Sequence, residues 1–121
     1  MIYLASPYTH PWPEVVEARV THTAKFLLRH LKQRKPIFSP IVYCHDLATV
    51  HHLPTDANYW WEFNQVFLDR ASELWVLHLK DWEKAKGVRQ EIDYWLELNP
   101  ESLAIMYDQE GYHWTAYTKT G

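Results

Sequence analysis

The sequence is poor in the features that would place it in several large classes. It has a single cysteine, Cys44, among 121 residues. That excludes an internal disulfide and any multi-cysteine zinc site, and it fits a reducing cytosol. No apolar run approaches the roughly 20 residues needed to span a membrane. The chain enters an apolar strand at once, without a basic leader, so we expect no signal peptide and a soluble, cytoplasmic protein. Twelve basic against fifteen acidic residues leave a formal net charge of −3, which gives no support to a nucleic-acid-binding surface. Internal repeats, low-complexity segments and domain linkers are also missing.

What is present is ordinary globular composition with one excess. Hydrophobic residues make up 47% and charged residues 22%, so disorder is not expected and residues 1–121 read as one domain with a single core. Seven Trp and eight Tyr are many for this length. Such flat, amphipathic side chains suit a ring-binding pocket, a subunit interface, or simply an aromatic core.

The stretch Leu74 to Leu98 organises the chain. Leu74–Leu79 is short, apolar and rich in β-branched and aromatic residues, as a buried strand requires. After the polar Lys80–Glu83 connection, the spacing predicts a helix over about Lys84–Leu98. Val88, Ile92 and Trp95 fall at i, i+4 and i+7 and should face a sheet. Gly87, Glu91 and Trp95 form a second row at the border of that face. Glu91 is thus either a surface carboxylate favoured by the helix dipole or a half-sheltered group turned toward a ligand. Gly87, one turn earlier, leaves room for another group to approach.

Upstream, Ile2–Ala5 reads as the first strand, closed by Ser6-Pro7. Pro13 suits the first position of a helix whose apolar stripe is Val16, Val20, Ala24, Leu27 and Leu31, ending before Pro36. Ile37-Phe38 reads as a second strand, closed by Ser39-Pro40. In a parallel sheet the carboxyl ends of such strands share the edge where open α/β sheets bind ligands. Ser6, Ser39 and His78 are expected there, although Ser-Pro pairs also simply start turns.

Over Ile41–Tyr59 the periodicity is lost, and a connection of this length is expected to be a functional loop, a lid or a flexible segment. It holds His45, Asp46, His51 and His52. Their spacing matches no compact zinc pattern, so solvated loop or substrate contacts are expected and metal is not. A short helix over Trp60–Ala71 should bury Trp60, Phe63, Asn64, Phe67, Leu68 and Ala71. Asn64 in that stripe needs a hydrogen-bond partner, from backbone, a ligand or a carboxylate. A further strand at Leu103–Tyr107, a turn over Asp108–Gly111 and a returning antiparallel edge strand over Tyr112–Thr118 complete a three-layer α/β sheet.

Four segments carry a resemblance: IYLASPY at Ile2–Tyr8, FSPI at Phe38–Ile41, WEFNQVFLDRASELWVL at Trp61–Leu77, and DWEKAKGVRQEI at Asp81–Ile92. In that order the chain, over roughly residues 1–106, resembles the nucleoside 2-deoxyribosyltransferase superfamily, and within it a small bacterial and phage branch. The resemblance implies a flavodoxin-like sandwich, mostly parallel with a C-terminal edge hairpin. It also implies cleavage of the N-glycosidic bond of 2-deoxynucleosides or their monophosphates, without metal or organic cofactor, by a homo-oligomer. Glu91 matches the glutamate that attacks C1 of the sugar, and Tyr3 a tyrosine that contacts nucleophile or sugar. Asn64 stands where the superfamily usually has an aspartate that assists protonation of the leaving base. Ala85 replaces a serine common in a W-E-x-S-x-G stretch.

Glu91, Asn64 and Tyr3 are therefore the expected catalytic positions. Ser6, Pro7 and Tyr8, then Ser39 and Pro40, and Gly87 with Val88 are expected to bind substrate, as are His45, His78 and Trp82. Asn64 can donate a hydrogen bond but cannot deliver a proton, which leaves His78, Asp69 or Asp81 to do so. A helix N-terminus should keep Glu91 ionised. The alternative is a module that binds a nucleotide without turning it over.

Overall fold

A computed structural model describes residues 1–102, 104–108, 110 and 113–117, the last five as backbone. The elements are β1 (Ile2–Ala5), α1 (Pro13–Lys32), β2 (Ile37–Phe38), α2 (Pro40–Thr49), α3 (Ala57–Arg70), β3 (Glu73–Leu77), α4 (Lys86–Leu98), β4 (Ala104–Tyr107) and β5 (His113–Tyr117). One sheet has the order β2-β1-β3-β4-β5. β1 runs parallel to β2 and β3, and β3 to β4, while β5 returns antiparallel at the edge. This is the flavodoxin-like, three-layer arrangement. The expected strand start at Leu103, the turn positions Gln109 and Gly111, and the outer strand residues Tyr112 and Thr118 lie outside the described residues.

The near-continuous apolar runs follow from burial on both faces. Tyr3, Leu74 and Ala104 lie side by side, as do Ala5, Val76 and Met106. These rows pack under α4 and Leu68 of α3. The alternate positions Leu4, Trp75 and Leu77 meet Phe26 of α1 on the other face. Among the described residues no helix is long and apolar enough to cross a membrane.

Three local expectations need correction. The buried row of α1 is Thr23, Phe26 and His30, roughly a quarter turn from the aliphatic stripe. Leu31 at the end of that stripe is 46% exposed. Below α1 the sheet presents Trp75 and Tyr107, and Phe26 and His30 pack edge-on against both. Ring packing therefore sets the helix rotation.

The second correction is larger. Residues 40–49 of the expected loop form α2, because Ser39 caps it, its hydroxyl accepting from Val42 N at 3.3 Å, and Pro40 occupies its first position. Its buried row, Pro40, Ile41, Cys44, His45 and Ala48, includes a histidine, while Tyr43 on the outside is 54% exposed. With apolar residues on both sides, no sequence contrast remained to be read. Ser39→Ala should lower stability by about 1 kcal/mol, measured by urea unfolding; an unchanged midpoint would show that the cap is dispensable.

Third, α3 begins at Ala57, where Asp56 accepts from Tyr59 N at 2.9 Å, and of its expected stripe only Leu68 is fully buried. The other stripe residues are half-buried. Phe38, Tyr43, Phe63 and Phe67 instead form stacked and tilted pairs between α2, α3 and β2. The Glu91 helix starts at Lys86, two residues later than expected, after a 3₁₀ turn at Trp82–Lys84.

Candidate functional site

β1 leads through α1 to one side of the sheet, and β3 leads through α4 to the other. The carboxyl ends of β1 and β3 therefore flank the point where strand order reverses, where open α/β sheets form ligand crevices. A cavity of about 410 Å³ opens there, within the usual size of a small-molecule site. Its walls come from the segment after β1 (Ser6, Pro7, Tyr8), from α2 (Pro40, Ile41, Cys44), from the start of α3 (Trp60, Trp61, Asn64) and from α4 with its approach (Ala85, Gly87, Val88, Gln90, Glu91).

Glu91 is 6% exposed, more sheltered than its spacing implied. The Tyr3 hydroxyl, on the central strand and fully buried, donates to Glu91 Oε2. Burial pushes the Glu91 carboxyl up from 4.5 to about 8, and the Tyr3 hydrogen bond pulls only partly against it. Burial, the Glu91 charge and that same bond push the Tyr3 phenol well above its ordinary value. At neutral pH the carboxyl therefore holds its proton, contrary to the expectation that the helix end keeps it charged. Glu91 is the sixth residue of α4, and the dipole's influence fades within the first turn, whereas desolvation acts in full. Tyr3→Phe removes the hydrogen bond that favours the carboxylate. Its Glu91 titration, followed by the carboxyl stretch in infrared spectra, should shift to higher pH; a downward shift would contradict this balance.

Among the described residues, neither Asn64 Oδ1 nor Gln90 Oε1, both buried at the cavity wall, has a protein hydrogen-bond partner. Both are acceptors that a donor entering the cavity would satisfy, and an unmade buried hydrogen bond costs about 1–3 kcal/mol. Asp56 and Glu91 are the carboxyl groups that line the cavity among the described residues. At Gly87 an added methyl would stand 3.5 Å from Ala57 Cβ, an ordinary contact. The room expected beside it is thus bounded by α3.

Several expected positions lie elsewhere. Ser39 is buried and committed to the α2 cap. His78 and Trp82 stack on each other at 3.9 Å, outside the cavity wall. Of the expected proton donors, Asp69 accepts from Tyr94 at 2.6 Å and Asp81 lies 3.7 Å from Lys84, so neither these nor His78 joins the cavity. His45 does not line it either, but is buried behind Tyr8 and bonded to its hydroxyl.

The sequence reading missed Arg19, whose guanidinium donates to the carbonyls of Thr9 at 2.9 Å, Lys80 at 3.4 Å and Tyr8 at 3.5 Å. It also missed Cys44, Trp61 and Gln90 in the wall. Cys44 lies in α2, where the sequence carries no helical periodicity, and Trp61 is offset by one position from the apolar stripe of α3. Among the described residues no three His, Cys, Asp or Glu side chains converge to hold a metal ion.

No curated protein matches the chain. Residues 1–106 match the family described as a domain of unknown function, DUF1937. That match covers most of the chain and includes every wall of the cavity, and the protein belongs to the DUF1937 family.

Proposed function

We propose that the protein is a nucleoside 2-deoxyribosyltransferase or (deoxy)nucleoside 5′-monophosphate N-glycosidase, with Glu91 as nucleophile. The observation that carries this reading is a buried carboxyl group, hydrogen-bonded by Tyr3, in a cavity walled by Trp60 and Trp61 at the strand switch point. The resemblance to the deoxyribosyltransferase superfamily supports it. In the ionised form, Glu91 attacks C1 of the deoxyribose and the C1–N bond breaks toward the base. A covalent glycosyl-enzyme results, which water or a second base then opens. The indole faces offer stacking surface for the base. The chemistry draws on protein groups alone and needs no metal or organic cofactor.

A second reading, a nucleotide-binding module without turnover, is favoured by Asn64 in place of a carboxyl group and by the protonated state of Glu91 at neutral pH. We further propose a reducing, cytoplasmic setting and a homo-oligomer formed through the exposed aromatic side of α2 and α3; light scattering that gives a monomer would remove the latter.

The test is base release. The four deoxynucleosides and four monophosphates are incubated with the protein, with and without a second free base, and the products are separated by liquid chromatography. Free base identifies a hydrolase and exchanged base a transferase. Nucleotide-dependent thermal stabilisation without any product would favour the binding module.

A further inference from the structure

Breaking the C1–N bond leaves an electron pair on the departing nitrogen, which must take up a proton. Asn64 cannot supply one, and Asp69, Asp81 and His78 lie away from the cavity. Asp56 lines it, but is exposed and already caps α3 through Oδ1. Lys84 and Lys86 line it from exposed positions and Cys44 as a buried thiol, but the hydrogen-bonded chain that joins the wall to solvent runs through Tyr8. The Tyr8 hydroxyl is 2.9 Å from His45 Nδ1, and His45 Nε2 is 2.8 Å from Glu17 Oε1.

The three groups come from three elements: the segment after β1, α2 and α1. Tyr8 lines the main cavity and also a smaller neighbouring one of about 190 Å³, whose wall contains His45 and Glu17. The His45 side chain is 8% exposed and the Glu17 side chain 65%. A path of hydrogen bonds thus runs from a phenol in the cavity wall, through a buried imidazole with both nitrogens engaged, to a carboxylate in solvent. The Tyr8 ring meets the imidazole edge-on at 5.6 Å, which fixes their mutual orientation.

We propose that Tyr8, His45 and Glu17 form a proton relay that supplies the leaving base, an inference that rests on the N-glycosidase reading. In the step, Glu91 Oε bonds to C1 and the C1–N pair moves to the base. The Tyr8 O–H proton transfers to the departing nitrogen, His45 passes its Nδ1 proton to the Tyr8 oxygen, and a solvent proton entering beside Glu17 takes the place on Nε2. The ionised Glu91 becomes the ester, one solvent proton ends on the base, and Tyr8, His45 and Glu17 keep their proton counts, so charge and atoms balance. The exchanged His45 tautomer resets through the same solvent path beside exposed Glu17. Burial, with the charges of Cys44 and Glu17, pushes the Tyr8 hydroxyl up to about 12. The phenol therefore stays protonated at neutral pH and acts as a conduit when His45 refills it.

The experiment compares a purine deoxynucleoside, or its monophosphate, with its N7-methyl cation, whose base departs neutral without taking up a proton. Wild type should release base from both. Tyr8→Phe and His45→Gln should lose roughly 10²–10⁴-fold in kcat/KM on the neutral substrate and less than about tenfold on the methylated one. Glu17→Gln, on an exposed side chain, should shift the ratio in the same direction and guards against misfolding of the buried variants. Asp56→Asn keeps the α3 cap and should not alter the ratio. Equal losses on both substrates, no loss on either, or the leaving-group signature in Asp56→Asn would overturn the relay and leave the glycosidase reading standing. A wild type silent on both substrates would overturn the two together.

Discussion

Glu91→Gln is expected to remain folded and to stop releasing base, with turnover down by roughly 10³-fold or more. The amide keeps the shape of the carboxyl and can still accept from Tyr3, so the packing of α4 on β1 survives. It cannot form the bond to C1, because an amide oxygen is a far poorer nucleophile than a carboxylate. The measurement is single-turnover base release across pH 6–9, with folding checked by circular dichroism. In wild type the rate should climb as pH approaches 8, where the carboxyl ionises. Retained turnover in Glu91→Gln would remove Glu91 as nucleophile, and a rate independent of pH would mean that substrate binding already ionises it.

The same substitution has a second large consequence, for stability. The Glu91 carboxyl moves from 4.5 in the unfolded chain to about 8 in the fold, so between these values the folded state binds more protons than the unfolded one. Stability from this group is complete below about pH 4.5 and is lost as pH rises through about 8. Relative to Glu91→Gln, wild type should lose about 1.4 kcal/mol per pH unit over that window. Other titrating groups are common to both proteins and cancel in the comparison. Urea unfolding of the two at pH 5, 6, 7 and 8 gives the difference directly. Parallel curves would mean that the carboxyl is already charged in the fold at neutral pH.

The strands and their edge could be read from sequence because double burial leaves a plain trace, apolar runs such as Ile2–Ala5 and Leu74–Leu77 that stop at polar residues. The α4 face was legible for a similar reason, since Val88, Ile92 and Trp95 repeat at helical spacing. That spacing also singled out Glu91. Its protonation was not legible, because desolvation arises only when Tyr3 and the sheet close over it. Helix α2 was hidden because its buried row carries His45 and its outer side carries Tyr43. Nor could sequence link Tyr8, His45 and Glu17, whose contacts span 37 and 28 positions. Ser39 and His78 follow strands at the carboxyl edge of the sheet, yet one caps a helix and the other stacks on Trp82.

The Arg19 guanidinium bears on affinity. By holding the carbonyls of Tyr8, Thr9 and Lys80 at once, it fastens the two loops that leave β1 and β3 to the body of α1. Loops at the mouth of a binding site ordinarily lose conformational freedom when a ligand arrives, and that loss weakens binding. For any ligand of this cavity, much of that loss would already be met during folding. Contacts with a ligand then need not order these loops, so the mouth of this cavity behaves as part of the rigid scaffold.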